Sequence, residues 1–96
     1  MKPSSALASH RQAVRDIVIA HNALNPRVFG SSARGDDTVN SDLDLLVDPT
    51  PETTLLDIGA IRHELMQLLG VPVDVVTPKA LPERFREAVI AGAIAV

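Results

Sequence analysis

The residues best suited to chemistry are three aspartates that stand within two short apolar runs. Asp42 and Asp44 alternate with leucines in "SDLDLLVD", and Asp74 lies between valines in "VPVDVVT". Side chains two apart on a strand point to the same face, so Asp42 and Asp44 are predicted to project together, with Cα atoms roughly 6.5 Å apart. Neighbouring carboxylates repel each other, and a divalent cation such as Mg²⁺, which prefers oxygen ligands, relieves that repulsion. The spacing therefore predicts a metal site, which Asp74 joins if its side chain lies on the same face.

A short segment upstream, "GSSAR", has residues that suit a phosphate group. Gly30 ends a predicted strand, Ser31 opens a predicted helical turn, and Arg34 follows one turn later. Glycine lets a phosphate approach the backbone, the first N–H groups of a helix point towards an anion, and a guanidinium group matches phosphate oxygens. We therefore expect Gly30, Ser31 and Arg34 to bind phosphate. Taken singly, these features also fit an ordinary turn, an exposed strand and a surface ion pair of Arg34 with Asp36 or Asp37, and both acids are predicted to be solvated.

Four other polar residues are predicted to have structural or surface roles. The three histidines, His10, His21 and His63, lie in predicted helices at no metal-ligand spacing. Ser41 precedes the strand that bears the first two aspartates, and we expect it to cap or hydrogen-bond the loop there.

The elements that must position these residues alternate between helices and strands. The predicted order is a helix over 4–22 that Asn25-Pro26 terminates, a strand ending at Gly30, a turn over 31–34, a strand over 41–48, a helix over 54–70, a strand over 71–77 and a helix over 82–96. Ser9 with Gln12 is a candidate capping box, and Thr54 with Asp57 is predicted to cap the second long helix. The order α-β-(turn)-β-α-β-α predicts an α/β or α+β fold in which helices cover a small mixed β-sheet.

The composition of the chain limits the classes of function that it fits. Its 96 residues are the size of one domain, over 1–96, and the absence of cysteine excludes disulfides, thiolate zinc sites and cysteine nucleophiles. The net charge of -3, with two Phe and no Trp or Tyr, argues against direct binding of DNA or of any other phosphate backbone. No apolar run is long enough for a signal peptide or a membrane span, so a soluble, cytoplasmic protein is expected.

The order and spacing of the singled-out residues resemble a known signature. The pattern Gly-Ser-x-x-Arg-Gly-Asp-x-x-x-x-Ser-Asp-x-Asp-Leu runs from Gly30 to Leu45, and Asp74 follows on a later strand. This pattern resembles the signature of the DNA polymerase β-type nucleotidyltransferase superfamily. Within it, the chain resembles the minimal nucleotidyltransferase (MNT) family from about Val28 to the C-terminus. The resemblance implies the polymerase β-type nucleotidyltransferase fold.

The resemblance also implies roles for the candidate site residues. In that superfamily the Gly-Ser turn, here Gly30 and Ser31, holds the β- and γ-phosphates of a nucleoside triphosphate. The acids at Asp42 and Asp44 would hold two Mg²⁺ ions, and Asp74 would share a metal and help to deprotonate the attacking hydroxyl. The implied products are a nucleotidylated acceptor and pyrophosphate.

A partner protein is implied by the same resemblance. Proteins similar to this family pair with α-helical HEPN-domain ribonuclease toxins and act as antitoxins, transferring AMP from ATP to a tyrosine near the active site of the toxin. The chain would then be a Mg²⁺-dependent protein adenylyltransferase, in which Arg34 contacts either phosphate or the partner. Two alternatives remain: an antitoxin that masks the toxin by binding alone, and a nucleotidyltransferase that acts on RNA or a small molecule. The intact set of acids favours catalysis over masking, and the lack of a basic face and of aromatic residues counts against RNA.

Overall fold

Five helices, four strands and one 3₁₀ turn make up the fold. The computed structural model describes residues 1–96. In chain order the elements are α1 (Pro3–Ala8), α2 (Arg11–Ala20), β1 (Ala23–Phe29), α3 (Ser31–Arg34), β2 (Leu43–Pro49), α4 (Leu55–Leu69), β3 (Val73–Val76), the 3₁₀ turn (Pro78–Ala80), α5 (Glu83–Gly92) and β4 (Ile94–Ala95). None of the helices combines the length and apolar character that crossing a membrane requires.

The four strands form one mixed sheet in the order β3-β2-β1-β4. Strand β1 is antiparallel to both β2 and β4, whereas β2 and β3 are parallel and are joined through α4. The prediction of a small mixed sheet covered by helices is confirmed.

The hydrophobic core lies on one face of this sheet. Strand β2 contributes Leu43, Leu45 and Val47, all completely buried, and these pack in a cluster of 14 buried residues that includes side chains from α1, α2 and α4. Successive residues of a strand point to opposite faces. The intervening positions of β2, of which Asp44 is one, therefore face the other side of the sheet.

Helix α4, which connects the two parallel strands, begins and ends where its cap residues predict. The Thr54 hydroxyl accepts a hydrogen bond from the Asp57 amide, and the Asp57 carboxylate accepts one from the Thr54 amide at 2.8 Å. Gly70 adopts the left-handed conformation that commonly ends a helix, with φ of 68°. The predicted capping residues and the predicted end of this helix are confirmed.

The single helix predicted over 4–22 is wrong, because the structure divides it into α1 and α2. The predicted capping box of Ser9 and Gln12 is also wrong. Ser9 ends α1, and its hydroxyl donates back to the Ser5 carbonyl, while the Gln12 amide donates to the Asp16 carboxylate within α2. Local side-chain hydrogen bonds thus compete with the predicted cap.

Asn25-Pro26 does not terminate a helix but lies inside β1. The pairing register with β2 shifts between Leu24 and Arg27, so the dipeptide forms a bulge, and Asn25 takes a positive φ of 53°. Proline has no amide to donate and is tolerated in sheets at bulges, and asparagine tolerates positive φ better than most residues. Helix α2 ends before this point, at Ala20.

The final helix is shorter than predicted, because α5 ends at Gly92 and a short strand follows. In β4, Ile94 pairs with Val28 and Ala95 pairs with Arg27 of β1. Pairing satisfies backbone groups along the free edge of β1 that a longer helix would leave without partners. The predicted helix over 82–96 is therefore corrected at its C-terminal end.

Candidate active site

Phe29, Asp44 and Asp74 form a row across three adjacent strands. Asp44 of β2 is the Cα partner of Phe29 on β1 and of Asp74 on β3. Partners in register share a face of a sheet, so the three side chains project from the face opposite the core. Asp42 is exposed and lies one residue before the start of β2. The structure thus brings Asp44 and Asp74 together on neighbouring strands. It leaves Asp42 just before the first residue of β2.

The environment of Asp44 disfavours its negative charge. Partial burial raises the pKa of the Asp44 carboxyl above its usual value, and the charges of Asp74 and Asp42 raise it further. Arg34 opposes this effect, but to a lesser extent. The acids therefore hold more negative charge than the neighbouring protein groups compensate, which is the electrostatic condition that a bound cation relieves.

The donor chemistry of the acids fits Mg²⁺. No three His, Cys, Asp or Glu side chains are grouped closely enough to hold a metal ion by themselves, so the three carboxylates that were predicted to converge are only partly assembled. Magnesium is usually bound through one or two carboxylates, and water and substrate phosphates complete its shell. Asp44 and Asp74 with Asp42 beside them meet that requirement.

Gly30 joins β1 to α3 and lies directly against Asp44. Its backbone, with φ of 70° and ψ of -148°, occupies a region that is essentially restricted to glycine. A Cβ atom at this position would lie 2.5 Å from Oδ2 of Asp44. The Gly30 carbonyl accepts hydrogen bonds from the amides of Ala33 and Arg34, which closes the helical turn that Ser31 opens. The structure therefore places the predicted phosphate-binding turn in contact with the predicted metal-binding acid.

Ser32 is a candidate that sequence reasoning missed. Its hydroxyl is buried and has no hydrogen-bond partner. Buried hydroxyl groups nearly always have a partner, so the unpaired Ser32 hydroxyl is the one buried polar side-chain group of this turn that the protein leaves unsatisfied. The only sequence signal was its place next to Ser31, because a single helical turn has no periodicity from which to read which serine points inward.

Arg34 combines a surface contact with a place at the edge of the site. Its Nε atom lies 3.3 Å from Oδ2 of Asp36, and both side chains are well exposed, so this ion pair contributes little to stability. The surface ion pair that the sequence allowed is thus present. The charge of Arg34 nevertheless acts on Asp44, where it offsets a small part of the rise in the pKa of that carboxyl.

The loop between α3 and β2 is held by two sets of hydrogen bonds. Asp37, which was predicted to be solvated, is buried, and its carboxylate accepts hydrogen bonds from the Ser4 amide at 2.8 Å and the Ser4 hydroxyl at 2.9 Å. These bonds lower the pKa of Asp37. Nearer to β2, the Ser41 hydroxyl accepts a hydrogen bond from the Thr38 amide, as expected of a loop-capping serine. The Asp37 prediction is therefore wrong, because Ser4 supplies donors from a distant part of the chain.

The histidines take no part in this site. Nδ1 of His10 is hydrogen-bonded to the Ala6 carbonyl at 3.0 Å, and His21 pairs with Glu64. His63 is exposed on α4. These placements agree with the predicted structural and surface roles.

A cavity of about 370 Å³ adjoins the row of site residues. It lies between α3 and α5, and Phe29, Gly30 and Arg34 contribute to its walls together with one face of α5. The turn at Gly30 therefore borders the acids on one side and this mainly apolar cavity on the other.

Comparison with known proteins places the chain in a family. The sequence model of the nucleotidyltransferase domain matches residues 10–95. A protein of Methanocaldococcus jannaschii, provisionally named a protein adenylyltransferase, is 31% identical over 78 residues, which are 81% of this chain and 84% of that protein. The protein adenylyltransferase MntA of Thermococcus cleftensis is 31% identical over 86 residues, 90% of this chain and 84% of its own length.

Solved structures agree with this assignment. One described provisionally as a minimal nucleotidyltransferase matches with a TM-score of 0.84 and 42% identity, covering 97% of this chain and 93% of the other. A toxin–antitoxin complex with AMP-PNP contains a chain that shares the fold, with a TM-score of 0.67 and 18% identity over 84% of this chain and 70% of that one. From its family match, its relatives and its fold, this chain belongs to the nucleotidyltransferase family and is a minimal nucleotidyltransferase.

Proposed function

We propose that this nucleotidyltransferase is a protein adenylyltransferase that transfers AMP from ATP to a toxin and thereby acts as its antitoxin. The observation that carries the proposal is the contact between the Gly30 turn and Asp44, with Asp74 paired beside it. A phosphate-binding turn next to two carboxylates is what a metal-bound triphosphate requires. The names of the two adenylyltransferase relatives support a protein acceptor, and the neighbour solved with a toxin and AMP-PNP supports ATP. The resemblance of this chain to the minimal nucleotidyltransferase family points to a HEPN-domain toxin and a tyrosine acceptor.

The turn and the acids divide the chemistry between them. Because Gly30 has no side chain, the Asp44 carboxylate can lie against the turn, and the Ser31 hydroxyl would donate a hydrogen bond to the β- and γ-phosphates. Asp42, Asp44 and Asp74 would hold the Mg²⁺ ions, whose positive charge neutralises the phosphates and stabilises the charge that develops during transfer. The protein is thus required mainly to position the reacting groups and to neutralise the charge of the phosphates.

In this proposal Asp74 receives the proton of the acceptor hydroxyl. Its side chain is exposed at the edge strand β3, so a partner's hydroxyl can approach it from solvent. The hydroxyl oxygen forms a bond to the α-phosphorus, and the bond from that phosphorus to the bridging oxygen of the β-phosphate breaks. Pyrophosphate leaves, and the proton of the hydroxyl passes to the Asp74 carboxylate, which acts as a general base.

The proposal is tested by intact mass measurement of a HEPN-domain protein whose gene adjoins the gene of this protein, taken as the candidate toxin. Incubation with the protein, ATP and Mg²⁺ is expected to add whole AMP units to the toxin. Asp44→Asn keeps the shape of the side chain but removes its charge, and it is expected to abolish the addition. Asp48→Asn is the matched control: Asp48 lies on the same strand but is paired with Arg27 at 2.6 Å, away from the other acids.

Two results would contradict this function. If Asp44→Asn neutralises the toxin fully while the toxin mass stays unchanged, the protein acts by masking. If labelled AMP is incorporated into RNA or a small molecule but never into the toxin, the acceptor has been assigned to the wrong class.

A further inference from the structure

Helix α5 presents an apolar face to a cavity instead of the core. Phe85, Ala88, Val89 and Gly92 follow the three- and four-residue spacing of a single helix face, and all four line the cavity. No residue of α5 is buried, and Phe85 is 48% exposed. An apolar helix face normally packs against other apolar groups. The face of α5 therefore has room for an apolar group that the chain itself does not supply.

The two aromatic residues of the chain meet at this cavity. The sequence contains two Phe and no Trp or Tyr. Phe85 lies on the α5 wall, and Phe29 lies on the opposite wall with Gly30, Ala33 and Arg34. Aromatic rings stack on flat heterocycles, and every nucleobase offers a π-face for such a contact. The walls thus suit a flat, largely apolar ring system.

The cavity is continuous with the proposed phosphate site. Gly30 forms part of its wall and also contacts Asp44, and the charge of Arg34, on the same wall, acts on that carboxyl. A ligand that extends from the cavity to Gly30 would therefore place an apolar part between the helices and its other end at the proposed phosphate site. The volume of about 370 Å³ lies in the range of roughly 300–1,000 Å³ typical of small-molecule sites.

We propose that this cavity binds the purine base of the nucleoside triphosphate, with Phe85 stacked on the base. The inference rests on the proposed function, because the same molecule places its phosphates at Gly30 and Ser31. A side chain of the partner protein also suits an apolar cavity. The purine is favoured because Gly30 and Arg34 join the cavity to an anion site, which a nucleotide fills with one molecule.

The test compares two ligands that differ only in having a nucleoside. Calorimetry in Mg²⁺ measures the affinities of ATP and of inorganic tripolyphosphate for the wild type and three variants. Phe85→Ala removes the stacking ring, and the loss of one base–aromatic stack is expected to weaken ATP binding by roughly 5- to 150-fold. Ala88→Leu fills the cavity from an exposed helix position and is expected to weaken ATP as well. Ile90→Ala is the control, since Ile90 lies on α5 outside the cavity.

The inference predicts that tripolyphosphate affinity stays within about twofold in all three variants and that Ile90→Ala leaves both ligands unaffected. Unchanged ATP affinity in Phe85→Ala and Ala88→Leu would overturn it, and so would an equal loss for both ligands. If these variants instead bind ATP normally but lose affinity for the toxin, the cavity binds the partner protein. Failure of the wild type to bind either ligand would overturn the proposed function itself, which separates that outcome from failure of the base site alone.

Discussion

Replacing Gly30 by alanine should damage the active site more than it damages the fold. The backbone of Gly30 lies in a region that is essentially glycine-only, with φ of 70° and ψ of -148°. Holding another residue there costs on the order of 1–3 kcal/mol. The added methyl group would also lie 2.5 Å from Oδ2 of Asp44. Because carbon and oxygen cannot approach so closely, either the turn or the Asp44 carboxylate must move.

The strained backbone determines the expected loss of stability, and the displaced carboxylate determines the expected loss of rate. For a domain of this size each kcal/mol lowers the Tm by about 4–8 °C, so Gly30→Ala is expected to lower it by about 4–24 °C. A displacement of about 1 Å at a reacting centre costs on the order of 100-fold in rate. We therefore expect AMP transfer at 25 °C to fall about 100-fold in a protein that is still folded, measured by the initial rate of pyrophosphate release.

Gly35→Ala is the matched control for the backbone effect. Gly35 also has a positive φ, of 81°, but no atom lies within 4 Å of the Cβ that alanine would add. The left-handed conformation costs about 1–2 kcal/mol for alanine, so stability should fall while the transfer rate stays near that of the wild type. Equal rates for Gly30→Ala and the wild type, or equal rate losses in the two variants, would refute the inference that the contact between the Gly30 turn and Asp44 matters for transfer.

Three further predictions concern metal, helix stability and pH. ATP should bind in Mg²⁺ and not in excess chelator, and equal affinity by calorimetry under both conditions would contradict a metal-bridged triphosphate. Gly59→Ala in α4 places a methyl group in open space, so the variant should be about 0.5–1 kcal/mol more stable, and the Tm about 2–8 °C higher; an unchanged Tm in thermal unfolding would count against it. Hydrogen bonds hold the pKa of Asp37 and of Asp57 below the 3.8 of an unperturbed aspartate. Their stabilisation is therefore present above about pH 4 and is lost as the pH falls through the folded values, so the urea midpoint should drop on acidification, and less in Asp37→Asn.

The parts of the site that could be predicted from sequence depend on local patterns. The alternation of acids and leucines predicted that Asp44 and Leu45 point to opposite faces, because the period of a strand is fixed by its backbone. Thr54, Asp57 and Gly70 likewise predicted the bounds of α4, because capping acts within one helical turn.

The remaining features depend on contacts between distant parts of the chain. The burial of Asp37 requires Ser4, which lies 33 residues away. Strand β4 has only two residues, and its pairing with β1 follows from the free edge of the sheet and not from its own sequence. The cavity exists because of where α5 lies relative to α3, and the apolar spacing of α5 is the same as that of a helix packed on a core. No local pattern contains that information.

The same alternation that stabilises the fold also fixes the geometry of the acids. Leu43 and Leu45 are completely buried on one face of β2, and Asp44 lies between them on the other, in register with Asp74 and Phe29. A slip of β3 by one residue would turn Asp74 towards the core, where an unpaired carboxylate costs several kcal/mol. It would also expose the valines that flank Asp74, of which Val73 is only 2% exposed. The apolar core thus excludes the wrong register, and the two carboxylates stay adjacent despite their mutual repulsion, before any cation is bound.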